Sequence, residues 1–191
     1  AQRLRRRLQE RGVEWRFHVT LDRLESGGGR KRATFSDGEA IETDLVLSAA
    51  GLVANIQVAQ KAGLAVDRGI VTNRLMQTTA PDVLALGDCA EVEGQIFAYI
   101  EPIRRQAQTI AAVLRGEDLP FDVKPPLVRV KTPSFPLTIC PPSASPTAPV
   151  AIASDETPER VDLIADDKLV GFVLSGERAA DGMALYRTLY R

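Results

Sequence analysis

Gly87 and Asp88 close a short apolar run, Val83-Leu84-Ala85-Leu86, that begins after the turn-prone Ala80-Pro81-Asp82. The run reads as a buried strand that stops abruptly. Gly87 lets the backbone turn tightly or pass close to a ligand. Asp88 is then expected just past the carboxyl end of that strand, where open α/β sheets bind their ligands. An ionised carboxylate placed there can accept hydrogen bonds from a sugar-like hydroxyl. Gly-Asp alone is a common strand-ending turn, so the surrounding residues decide its meaning.

The elements that must position this pair fall into three pieces. Residues 3–11 read as a helix, with Leu4 and Leu8 on one face and five arginines as its solvated surface. Strands are expected at 14–19, 21–25, 30–35 and 44–48. Gly27-Gly28-Gly29 forms a hairpin loop, and Ser36-Asp37-Gly38-Glu39 a turn. The apolar Leu45-Val46-Leu47 ends in small residues, Ser48-Ala49-Ala50-Gly51, and reads as buried. A short helix over 55–62 stops at Gly63, and a short strand and turn follow at 69–73. The clearest helix covers 100–115. Pro102 suits its first turn, Ile103, Ala107, Ile110, Ala111 and Leu114 make an apolar face, and Gly116 ends it.

From Phe121 the chain changes character. Six prolines between Pro133 and Pro149 exclude helix there. Strands are expected at 123–130, 137–140, 150–153, 161–165 and 168–174, with a last helix at 182–190, which makes a small antiparallel α+β domain.

Composition removes several function classes. Apolar residues make 45% and charged residues 26%, which is ordinary globular usage. A net charge of −1 gives no electrostatic case for binding nucleic acid or a membrane surface. No apolar run reaches transmembrane length and no signal peptide opens the chain. Cys89 and Cys140 form no CxxC pair, which suggests a reducing, cytoplasmic setting. His18, the single histidine, lies in a strand pattern away from any partner motif and is expected to be structural. Metal-ligand spacing and a nucleophile elbow are both absent.

The Gly87-Asp88 segment resembles the second flavin-binding motif of the FAD-dependent pyridine nucleotide-disulfide oxidoreductase superfamily. The likeness continues through Cys89-Ala90-Glu91-Val92-Glu93-Gly94, Ala98-Tyr99-Ile100-Glu101-Pro102-Ile103, Val130-Lys131-Thr132-Pro133 and Pro136-Leu137. Together these strings are similar to the rubredoxin–NAD(+) reductases. The resemblance implies that Gly87 and Asp88 hold the ribityl chain of FAD and that the Ile100 N–H meets the pyrimidine edge of the flavin. It also implies that the Lys131 ammonium lies near the reacting side of the ring, where a cation stabilises reduced flavin and steers hydride transfer. Ala50 stands where these reductases usually have a hydroxyl or another small residue.

Such reductases carry two G-x-G-x-x-G loops, and the chain has neither; at Gly27-Gly28-Gly29 the last glycine position is Arg32. The resemblance therefore implies an α/β and α+β architecture. Residues 1–47 would be a C-terminal remnant of an NAD-binding domain, 48–118 the C-terminal part of a Rossmann-like FAD domain, and 119–191 an α+β interface domain. The implied activity is electron transfer from NADH through FAD to rubredoxin or a similar small iron–sulfur carrier, with the chain alone inactive. Oxygen and ferredoxin remain alternative acceptors. The competing reading is a non-catalytic module that self-associates or docks a partner. Strands at 45–47 and 83–86 would leave an apolar surface uncovered, which invites a homodimer or local disorder.

Overall fold

A computed structural model describes residues 2–142, 150–153 and 159–190. The chain divides into two compact units, Ala1–Gly51 and Leu52–Arg191.

The first unit holds a helix, α1 (Gln2–Gln9), and a three-stranded antiparallel meander of β1 (Leu21–Gly27), β2 (Arg30–Phe35) and β3 (Ala40–Thr43). Gly27 pairs with Arg30, leaving Gly28-Gly29 as a two-residue turn with φ of 59° and 81°. A turn that matches strand twist needs positive φ at both positions, and glycine adopts it freely. The second turn closes where Phe35 N–H meets the Glu39 carbonyl at 2.8 Å and Asp37 Oδ1 accepts the Glu39 N–H.

Three expectations fail in this unit. Residues 14–19 form no strand: Trp15 and Phe17 stack at 5.8 Å in open chain, and His18 takes a left-handed φ of 61°. The last strand falls at Ala40–Thr43 instead of 44–48, because the tight turn at 36–39 sets the register against β2. Leu45 and Leu47 are 76% and 84% exposed, not buried, since no ladder reaches them within the unit.

The second unit begins with α2 (Gln57–Lys61), which stops before Gly63 as expected. A three-stranded sheet follows: β4 (Ile70–Thr72) runs parallel to β5 (Ala90–Val92), which turns back into β6 (Gln95–Ile96). The helix α3 (Ile100–Leu114) comes next. Met76, Ala85, Ala90, Val92, Phe97 and Phe121 form the core between them, with Phe97 edge-on to Phe121 at 5.3 Å.

The run 83–86 is not a strand of a parallel sheet. The turn at 80–82 folds it back on Met76–Thr78: Ala85 donates to the Met76 carbonyl, Thr78 to that of Val83, and Leu84 bridges Gln77. The buried face of α3 also differs from the apolar stripe. It carries Pro102, Gln106, Thr109 and Ala112, while Leu114 is exposed.

The remaining strands build one antiparallel sheet in the order β7-β8-β11-β10-β9: β7 (Val128–Val130), β8 (Leu137–Cys140), β9 (Ala151–Ala153), β10 (Arg160–Ala165) and β11 (Lys168–Ser175). The expected strand at 123–130 keeps only its last three residues, because Pro125 and Pro126 cannot donate to a ladder. The helix α4 (Gly182–Leu189) covers one face, and Leu185, Tyr186, Leu189 and Tyr190 pack on Cys140, Phe172 and Leu174. Gly182 permits the close approach: a Cβ there would lie 2.3 Å from Thr138 Cγ2. Pro146 and Pro149 of the proline-rich stretch lie outside the described residues.

Candidate functional site

Gly87 opens a single 3-10 turn, Gly87–Cys89, directly before β5. Leu86 arrives extended and Gly87 reverses the chain with φ of 81°. Asp88 therefore stands at the entry to a strand, not past the end of one. Its carboxylate is exposed, whereas Gly87 and Ala90 on either side of the turn are buried. The turn is held from within by Cys89 Sγ on the Leu86 carbonyl at 3.4 Å.

A second hold comes from α3. The Gly87 N–H donates to Gln106 Oε1 at 2.8 Å, and both residues are buried. Ile103 packs on the same glycine: a Cβ there would meet Ile103 Cδ1 at 3.9 Å. The helix carrying these residues starts at Tyr99, which is extended and supplies no side-chain cap. Tyr99 N–H bonds to the Phe97 carbonyl, and Ile103 N–H bonds to that of Tyr99. Pro102 has no N–H. The free donors of this helix end are thus Ile100 and Glu101, where the dipole favours negative charge. Ile100 is 76% exposed.

Asp88 and the Ile100 helix end are thus carried by two elements that pack together. Lys131 is carried elsewhere. It follows β7 at an edge of the five-stranded sheet and is exposed, and no described hydrogen bond or ion pair links it to the Gly87 turn or to α3.

Sequence reading missed three polar groups near these elements, two buried and one half-buried. Gln106 is one. Glu91 is another: its carboxylate accepts the Gly69 N–H at 2.8 Å inside the β4–β5 sheet. The third is Arg105, which pairs with Glu101 at 2.9 Å, donates to the Asp122 carbonyl and lies 5.0 Å over the Phe121 ring. Admitting polar residues to the i, i+4, i+7 pattern from Pro102 would have found Gln106 and Thr109. Among the described residues no cluster could hold a metal ion, and no helix is long and apolar enough to cross a membrane.

Mixed sheets with helices make this an α/β protein, in which a glycine-reversed turn presents a carboxylate beside an uncapped helix end. Comparison with known proteins agrees. Residues 1–116 match the family model described as pyridine nucleotide-disulphide oxidoreductase, and residues 122–189 match the rubredoxin binding C-terminal domain. The chain belongs to the pyridine nucleotide-disulphide oxidoreductase family.

It is 37% identical to a nitric oxide reductase FlRd-NAD(+) reductase of Aeromonas salmonicida, covering 100% of this chain and 50% of the relative. It is 36% identical to a rubredoxin-NAD(+) reductase of Alcanivorax borkumensis, covering 96% and 49%. The chain thus spans about half the length of the curated relatives it matches. Among solved structures, a NAD-dependent persulfide reductase from A. fulgidus superimposes with a TM-score of 0.83 at 20% identity, over 100% of this chain and 40% of that one. A FAD-dependent pyridine nucleotide-disulphide oxidoreductase from Desulfovibrio vulgaris gives 0.81 at 24%, over 98% and 52%. These two likenesses establish the fold.

Proposed function

We propose that this chain is the C-terminal part of an NADH-dependent FAD oxidoreductase that passes electrons to rubredoxin or a similar small iron–sulfur carrier. The observation that carries the reading is the succession, in one chain, of a reductase match and a rubredoxin-binding match. In this reading residues 1–47 belong to the NAD domain, 48–118 to the FAD domain and 119–191 to the domain that meets the carrier.

The residues fit a flavin dinucleotide. Gly87 keeps the backbone free of a Cβ at the reversal, and Asp88 offers an exposed acceptor for ribityl hydroxyls. The Ile100 N–H, at a helix end without a cap, can donate to an oxygen that gains negative charge. Lys131, exposed at the edge of the five-stranded sheet, would supply the cation. FAD, when bound, would take a hydride from NADH and release electrons singly. The 191 residues contain no G-x-G-x-x-G loop and are expected not to turn over alone.

Asp88→Ala tests the site in the intact protein. A charge-assisted hydrogen bond is worth about 1.5–3 kcal/mol, so FAD affinity should fall about ten- to hundredfold with far-UV circular dichroism unchanged. FAD content equal to wild type after extensive dialysis would refute the assignment. Lys131→Met should leave FAD bound, lower its reduction potential and slow its reduction by NADH in stopped flow; an unchanged rate would remove Lys131 from the site.

The exposure of Leu45 and Leu47 favours a second reading, a non-catalytic module that self-associates or docks a partner. A colourless, tightly dimeric protein by absorption and light scattering would support it over the first.

A further inference from the structure

Gln106 is wholly buried, yet only half of its carboxamide is used. Oε1 accepts the Gly87 N–H, and Nε2 has no hydrogen-bond partner. A buried amide with an unmatched N–H₂ is costly, and an aliphatic side chain would fill the same volume without that cost. Local rules of this kind are broken mainly where function requires it. Here the retained feature is one bond. It joins the turn that carries Asp88 to the helix whose first N–H belongs to Ile100.

We infer that Gln106 is a positioning residue, whose buried Oε1 locks the Gly87–Cys89 turn to α3 and holds Asp88 and the Ile100 N–H in one register for a flavin dinucleotide. The inference rests on the proposed flavin site. Gln106 itself does not touch the ligand; its side chain is wholly buried and its Oε1 is taken by the Gly87 N–H. Without the acceptor, Gly87 keeps its positive φ but its N–H is unpaired, and the turn can rotate against the helix. Asp88 and the helix end then no longer present their groups together, so the two contacts stop reinforcing each other.

The test uses the intact protein with Gln106→Met and Gln106→Glu. Methionine fills the volume without an acceptor, and glutamate retains one. FAD affinity, measured by fluorescence titration of the apoprotein, should fall about tenfold in the methionine variant and stay within about threefold of wild type in the glutamate variant. The visible circular dichroism of bound flavin should change only with methionine. Wild-type affinity and dichroism in Gln106→Met, or equal losses in both variants, would overturn the inference.

A measurement on the wild-type apoprotein removes any dependence on variant folding. The Gly87 amide should be protected from hydrogen exchange, and fast exchange there would overturn the clamp directly. Failure of the wild-type protein to bind FAD would instead refute the flavin reading, while Gly87 protection would still report on the clamp.

Discussion

The two units solve the same problem differently. In Ala1–Gly51 the strands are ordered by turns and pairing, and Ala33 is the one buried residue among those described. Trp15, Phe17, Leu24, Ile41, Leu45 and Leu47 all remain exposed. In Leu52–Arg191 each sheet backs onto a core, one built around Met76, Phe97 and Phe121 and the other around Cys140, Phe172 and Leu174. Turn chemistry is therefore enough to set strand register, as Gly28-Gly29 does, but it buries little. Apolar burial supplies most of the stability of a fold, so the second unit should carry it.

The sharpest test of that contrast is Phe172→Ala. Its side chain is 0% exposed, and its loss should cost about 3–5 kcal/mol in urea unfolding. A smaller loss would mean that the sheet and α4 are loosely packed.

Alkaline pH probes the same core. Burial pushes the Cys140 thiol from its ordinary 9.0 up to about 11. Between those values the folded state holds a proton that the unfolded state has released. Stability is thus full below pH 9 and falls as pH rises toward 11, by a few kcal/mol at most. Burial raises Tyr190 as well, which extends the fall to higher pH. Urea unfolding from pH 8 to 11 should show a steeper decline in wild type than in Cys140→Ala, and equal slopes would contradict the buried thiol.

Gly182→Ala should cost about 1–3 kcal/mol by driving a methyl into Thr138. Thr138 cannot readily turn aside, because it is buried and its hydroxyl donates to the Ala179 carbonyl at 2.7 Å. A thermal midpoint equal to wild type would show that α4 can shift freely.

The smallest effect belongs to the first unit. Leu47→Ala should change stability by less than about 0.5 kcal/mol. A loss comparable to that of Phe172→Ala would mean that Leu47 is covered in solution by another chain, and the contrast between the units would collapse.

Legibility cut across both units. The strands β2, β8, β10 and β11 and the helices α3 and α4 were readable because alternation, helical spacing and turn residues agreed at those places. The run at 45–47 misled because it is more apolar than Ala40–Thr43, yet pairing was decided by the turn before it. The run at 83–86 misled for a related reason: its partner is Met76–Thr78, a local return that an apolar pattern does not encode. Gly87 was legible as a tight turn and Ile100 as the start of a helix. The bond between these two elements was not, because it runs from the Gly87 N–H to Gln106, a polar residue on a helix face that hydrophobicity assigns to solvent.

The order of the five-stranded sheet has a kinetic consequence. The β7–β8 and β10–β11 pairs are hairpins, closed by short turns at Val130–Leu137 and Ala165–Lys168. Only the β8–β11 ladder unites them, with Cys140 opposite Phe172 and Leu137 opposite Ser175. Hairpins form on local contacts, whereas this ladder must first close a long loop. Folding of the sheet should thus wait on β8 finding β11. Substitutions at that seam should slow refolding, and those at the Asp166-Asp167 turn should chiefly change how often a competent hairpin is ready to be joined.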